Sequence, residues 1–191
     1  MNPVGVVLAG GSGRRIGGEK ALVELDGRPL LLYPVDAMRE VLDEVVVVCK
    51  QHTPLPDLGG RAEIWAETER EQHPLVGVIA ALRRTSEQGR GVLVCAGDMP
   101  LITAAVLRTL LDAPAAPAVV ARAEDRLQPL LARYAPGALA GLEDREPGEP
   151  ATRVVERLAP LIVDVPARAA FNVNVPEDLL LAEREGVGGD A

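Results

Sequence analysis

The sequence predicts an α/β fold: a mainly parallel sheet covered on both faces by helices. Three observations carry that prediction. Short apolar runs rich in β-branched residues recur along the chain and read as buried strands. Segments with helical apolar spacing lie between several of them, and strand–helix alternation over the first half implies parallel pairing. The chain has 191 residues, 48% of them hydrophobic, enough for one domain with a full core.

The elements follow in order. Strands are expected at 4–9, 45–49, 63–66, 91–95, 118–121 and 161–165. Helices are expected at 30–42, 75–84, 103–111, 137–142 and 152–158. A last helix starts at Pro176, with proline in the first turn followed by the acidic Glu177 and Asp178. The stretch 142–150, LEDREPGEP, is the most loop-like, but it is too short and too central to divide the chain. Residues 1–191 are therefore expected to form one domain.

Composition excludes some partners. The net charge of −8 argues against duplex nucleic acid, so a polyanionic ligand needs a local basic patch. No apolar stretch reaches membrane-spanning length and the N-terminus lacks a signal-peptide pattern, so no membrane role and a cytoplasmic location are expected. Cys49 and Cys95 sit in apolar strand-like runs and are expected to be buried and reduced, with no Cys/His cluster of zinc spacing. His52 and His73 lie in polar loop-like stretches.

Ligands of parallel sheets bind beyond the carboxyl ends of the strands. That rule points to the loops after Ala9, Cys49 and Cys95. The first reads VVLAGGSGRRIGGEKALVEL, residues 6–25. Its glycines let the backbone approach a ligand closely, and successive amides can form an anion-binding nest. Arg14, Arg15 and Lys20 bring positive charge to the same place. The chain has only two lysines, Lys20 and Lys50, so a compact ammonium here departs from its preference for arginine. The combination suits a triphosphate; the competing reading is a glycine-rich turn with surface arginines. Two familiar motifs fail: Ile16 stands where G-x-G-x-x-G needs glycine, and Lys20 lies between Glu19 and Ala21 rather than in G-K-[ST].

In GVLVCAGDMPLI, residues 91–102, Asp98 falls just past a buried run and faces the same rim. It can supply one oxygen to a nucleotide-bound Mg²⁺, or it can cap the helix near Thr103. In FNVNVPEDL, residues 171–179, Asn172 and Asn174 share one side of an extended segment and offer neutral carbonyls. Loop capping before the Pro176 helix is the alternative.

Taken together these segments resemble the molybdenum cofactor guanylyltransferase family, of the MobA type, within the nucleotidyltransferase superfamily. Leu8-Ala9-Gly10-Gly11, Arg15-Ile16-Gly17 and Glu19-Lys20 are similar to that family's LAGG…R-M-G…D-K loop. HPLVGVIAAL, CAGDMPLI, RLQPLLARY and FNVNVPEDL are similar to its G-P-L-x-G, C-D-M-P, Q-P-L and N-x-N-T-P-E-D segments, in the family's order. The departures are Ile16 for methionine, Glu19 for aspartate, His73 for glycine and Val175 for threonine. Val48 stands where some members carry an asparagine near the base.

The resemblance implies a three-layer α/β/α Rossmann-like nucleotidyltransferase fold with a mixed, mainly parallel sheet. It implies transfer of GMP from GTP to the terminal phosphate of molybdenum-molybdopterin, with release of pyrophosphate and Mg²⁺ as cofactor. Carried over, Arg15, Lys20 and Asp98 are the catalytic residues. Leu8, Ala9, Gly10, Gly11, Lys20, Glu67 and Asp98 bind nucleotide. Asp98, Asn174 and Asn172 are the metal candidates. The expected partners are GTP and a molybdopterin-type phosphate acceptor, with room for enzymes that insert molybdenum or accept the finished cofactor. Three alternatives stay open: a sister enzyme using CTP or another NTP with a different phosphorylated acceptor, a non-catalytic nucleotide-binding protein of the same fold, and an unrelated mononucleotide-binding enzyme.

Overall fold

The computed structural model describes residues 2–10, 20–69 and 71–186. Its main sheet has seven strands: β1 (Val4–Ala9), β4 (Val45–Lys50), β5 (Glu63–Glu67), β6 (Val92–Ala96), β7 (Ala118–Ala123), β8 (Arg126–Tyr134) and β9 (Leu161–Asp164). They lie in the order β5-β4-β1-β6-β8-β7-β9. All neighbouring pairs are parallel except those made by β8, which runs antiparallel to both β6 and β7. A separate two-stranded ribbon pairs β2 (Glu24–Leu25) with β3 (Arg28–Pro29).

The period of two sorts the strand residues onto two cores. Val7, Val47 and Cys95 face one side, packing with α1 (Leu32–Arg39) and α3 (Ala104–Asp112) through Val35, Met38, Leu107 and Leu110. Val6, Val46, Val48 and Val94 face the other, packing with α2 (Val76–Ser86), α4 (Leu139–Glu143) and α5 (Ala151–Glu156). Both sets of strand residues are essentially inaccessible, which is why these strands read as unbroken apolar runs. Every expected strand and helix is present, with ends displaced by at most three residues.

β8 is an addition to those expectations. Its turn from β7 is a two-residue Glu124-Asp125 link with both residues in the left-handed region (φ 48° and 60°), which carries none of the glycine or asparagine that usually marks such a turn. Pro129 also speaks against a strand. It is accommodated because residues 129–131 fall where the β7 register shifts, between Val120 and Ala121, and do not pair with that strand.

A third, smaller cluster positions the site. Leu25 of the ribbon, Leu30 just after it, Leu101 after β6, Val173, and Ala182 of α6 (Pro176–Glu185) are all at most 2% exposed and pack together. Burying each leucine contributes roughly 1.5–3 kcal/mol. This cluster draws three distant stretches, 20–30, 98–101 and 171–182, to one corner of the sheet's carboxyl rim.

Candidate active site

Strand β1 ends at Ala9 and delivers Gly10 to the rim; β6 ends at Ala96 and delivers Gly97 and Asp98 beside it. The two ends are tied by a hydrogen bond from the Gly97 amide to the Leu8 carbonyl, 3.0 Å. A side chain at 97 would not fit: its Cβ would lie 2.8 Å from Leu31 Cδ1 and 3.0 Å from the Leu8 oxygen. Glycine here is what lets the acidic loop close onto β1. Asp98 accepts the Val173 amide on its main-chain carbonyl, 2.9 Å, so the same loop also anchors the C-terminal segment.

On that scaffold three side chains meet. Lys20 Nζ lies 2.5 Å from Asp98 Oδ2 and donates to Asn174 Oδ1 at 2.7 Å. The lysine and aspartate side chains are 15% and 19% exposed. Val173 is fully buried, so Asn172 and Asn174 flank it on the opposite side of the segment, as alternation requires. Their amides then diverge. Asn174 reaches the cluster, whereas Asn172 donates to the Ala170 carbonyl at 2.9 Å. Asp178 was not singled out as a site residue, yet it holds this arrangement. Its carboxylate accepts the Asn174 and Val175 amides at 2.7 and 3.0 Å, a first-turn contact announced by the P-E-D spacing.

Asp98 does not cap helix α3. The N-cap is Thr103, whose hydroxyl accepts the Val106 amide. That leaves the carboxylate without a structural duty of that kind. Moreover, Asp98 Oδ1 is buried with no hydrogen-bond partner among the described residues. An orphaned carboxylate oxygen beside an amide carbonyl is a donor set suited to a hard cation. No cluster of three or more His, Cys, Asp or Glu side chains occurs among the described residues. A cation here would draw its remaining ligands from phosphate and water.

Two hollows flank the cluster. On one side a cavity of about 380 Å³ is bounded by Leu8–Gly10, Lys20, the turn 50–54, Gly97 and Asp98. All three rim loops that the sequence indicated contribute to it. On the other side a groove of about 980 Å³ runs from the β7–β8 turn past Gln128 and Phe171 to Asn172 and Asn174. The lysine–aspartate–asparagine cluster stands between them. The first volume lies within the range of small-molecule sites.

Of the other expected residues, Leu8, Ala9 and Gly10 line the cavity. Gly11 and Arg15 lie outside the described residues. Glu67 is 7% exposed at the end of β5, ion-paired with Lys50 and accepting the Glu69 amide at 3.1 Å. Val48 faces the second core, under Gly77. His73 is more than a loop residue: Nε2 pairs with the Glu149 carbonyl at 2.8 Å and Nδ1 accepts the Leu75 amide at 3.2 Å, fixing the entry to α2. Cys49 and Cys95 are free thiols, both buried. Burial raises both pKa values, assisted by the charge of Glu67 on the first and of Asp98 on the second.

A mainly parallel sheet whose carboxyl rim brings Gly10, a lysine and a metal-competent carboxylate together fits one class, the nucleotidyltransferases. Comparison with known proteins makes this specific. Residues 5–162 match the family model described as the MobA-like NTP transferase domain, and the chain belongs to that family. A molybdenum cofactor guanylyltransferase of Ectopseudomonas mendocina is 33% identical over 183 residues, covering 93% of this chain and 90% of that protein. One of Cereibacter sphaeroides is 32% identical, covering 96% of each. The crystal structure of molybdopterin-guanine dinucleotide biosynthesis protein A from Archaeoglobus fulgidus superimposes with a TM-score of 0.74 at 29% identity, over 95% of this chain and 97% of that one.

Proposed function

We propose that this nucleotidyltransferase moves GMP from GTP to the terminal phosphate of a molybdopterin carrying molybdenum, releasing pyrophosphate. The observation that carries the reading is the cluster of Lys20, Asp98 and Asn174 standing between two hollows. A transfer between two phosphates needs such a partition, with one phosphate brought to each side and charge stabilised where they meet. The names and the extent of similarity of the relatives support the choice of substrates.

GTP occupies the smaller cavity, with its phosphates toward Lys20 and the Gly10 backbone. The acceptor lies in the groove lined by Gln128, Phe171 and Asn174. Its terminal phosphate is a monoester with a second pKa of about 6, so it is largely ionised near neutral pH and needs no general base. One of its oxygens bonds to the α-phosphorus of GTP. The bond from that phosphorus to the bridging oxygen of the β-phosphate breaks, and pyrophosphate leaves with the electron pair. Lys20, assisted by Arg15, stabilises charge on the phosphates and on the departing pyrophosphate. Asp98 and Asn174 are the residues that would hold Mg²⁺, which when bound neutralises charge between nucleophile and nucleotide. The remaining task of the site is orientation, holding two anions in line.

The test is a panel of the four NTPs with Mg²⁺ and molybdopterin, read by pyrophosphate release and product mass. GTP-selective formation of a guanylylated pterin is expected. CTP-selective turnover would identify a sister enzyme, and binding without turnover would identify a nucleotide-binding protein.

A further inference from the structure

The chain's two lysines line the same cavity, and they are held in opposite ways. Lys20 has two acceptors among the described residues, Asp98 and Asn174, leaving a third ammonium proton for a ligand. Lys50, by contrast, meets three: the Glu67 carboxylate and the main-chain carbonyls of Glu69 and Glu71. An ammonium has three donors. Lys50 is therefore saturated by the protein, and its charge is balanced by a carboxylate that is almost fully buried.

The saturated lysine is the last residue of β4, and the turn that walls the cavity starts from it. The Lys50 carbonyl accepts the Thr53 amide at 2.9 Å, and Gln51, His52, Thr53 and Pro54 then line the cavity. The turn is thus fixed at its origin by main chain on one side and by the ammonium clamp on the other. The clamp is itself braced. Arg83 bridges Glu69 and Glu143, Arg145 pairs with Glu71, and His73 pairs with the Glu149 carbonyl, so Glu69, Glu71 and His73 are each fastened to the end of α4 or the connection that follows it.

We propose that Lys50 is a positioning residue for the nucleoside half of the bound nucleotide. It acts through the 51–54 turn rather than by contact, and Glu67 acts through Lys50. This rests on the reading that the cavity takes a nucleoside triphosphate. The phosphates go to the Lys20 end, where an ammonium donor, Asp98 and the Gly10 backbone converge. The end walled by residues 51–54 has its one lysine neutralised, and it suits an uncharged base and ribose.

The experiment titrates Mg²⁺-GTP and Mg²⁺-ATP against the folded chain and against Lys50→Met, Lys50→Arg and Glu67→Gln, with steady-state transfer measured in parallel. Lys50→Met is expected to weaken GTP binding about tenfold, the scale of losing charge-assisted hydrogen bonds. It should shrink the GTP:ATP preference, with the loss falling on KM more than on kcat. Glu67→Gln should do the same, the double variant should be no worse than either single one, and Lys50→Arg should recover part of the preference. A lowered melting temperature with the base preference intact would overturn the proposal, as would additive losses in the double variant. If the unaltered chain binds neither nucleotide, the nucleotide reading itself fails; if it binds GTP and Lys50→Met binds it equally well, only the role of Lys50 fails.

Discussion

Lys20 and Asp98 neutralise one another across 2.5 Å at the junction of the two hollows, so each is the other's counter-ion. In Lys20→Ala the fold should persist, because the lysine stands in a three-residue helical turn with no buried residues. Transfer should fall by roughly 10²–10³-fold, the scale of losing one preorganised contact to developing charge. Single-turnover rates on protein with unchanged circular dichroism check this, and an unaltered rate would remove Lys20 from the chemistry.

Asp98→Asn keeps shape and loses charge. The Mg²⁺ concentration for half-maximal activity should rise steeply, or activity should vanish, while the melting temperature barely moves. Stability is spared because the Asp98 main-chain contact to Val173 survives and Thr103 caps α3. A metal titration together with a melting curve decides it. Full activity in a destabilised variant would make Asp98 structural.

The two asparagines should separate. Asn174→Ala is expected to lose more transfer activity than Asn172→Ala, and raised Mg²⁺ should partly rescue only the former. The basis is that Asn174 shares Lys20 with Asp98, whereas Asn172 ties down the Ala170 carbonyl. Asp178→Ala should resemble a mild Asn174→Ala, since it releases the main chain that aims that amide. Equal losses at 172 and 174 without metal rescue would leave Asp98 as the sole side-chain ligand.

Alkaline stability should report the buried thiol. Burial raises the pKa of Cys95 above its ordinary 9.0, so the folded chain keeps a proton that the unfolded chain releases. That contribution is complete below pH 9 and is lost as the pH climbs beyond it. Melting temperature should therefore fall above pH 9, and less steeply in Cys95→Ala. Parallel pH profiles for the two proteins would refute the assignment. At pH 8 the same burial should keep both cysteines unreactive toward a thiol reagent until the protein unfolds.

Much of this molecule is legible in its sequence, and the illegible parts share a cause. The strand runs around Val6, Val46 and Val94 are readable because helices on both faces demand continuous apolar residues. Asp98 and Gly10 are readable because a parallel sheet directs ligands to its carboxyl rim. β8 escapes because its turn and its proline are tolerated by a register shift rather than by local preference. Lys50 escapes for a related reason: two of its acceptors are main-chain carbonyls, which every residue possesses, 19 and 21 positions away. Asn174 is readable as a candidate, but its aim depends on the small apolar cluster of Leu25, Leu101 and Val173, which no motif announces.

Lys20 and Asn174 are 154 residues apart in the chain. During synthesis the N-terminal half can pair β1 with β4 and β6 while the third corner of the site is still unmade. Such long-range closure is slow, and partly assembled chains expose apolar surface. Here the exposed surface would be Leu25, Leu30 and Leu101, which await Val173 and Ala182. A nascent chain that stops short of residue 171 thus carries both lysines and the acidic loop but lacks Asn174 and the apolar residues that seat it.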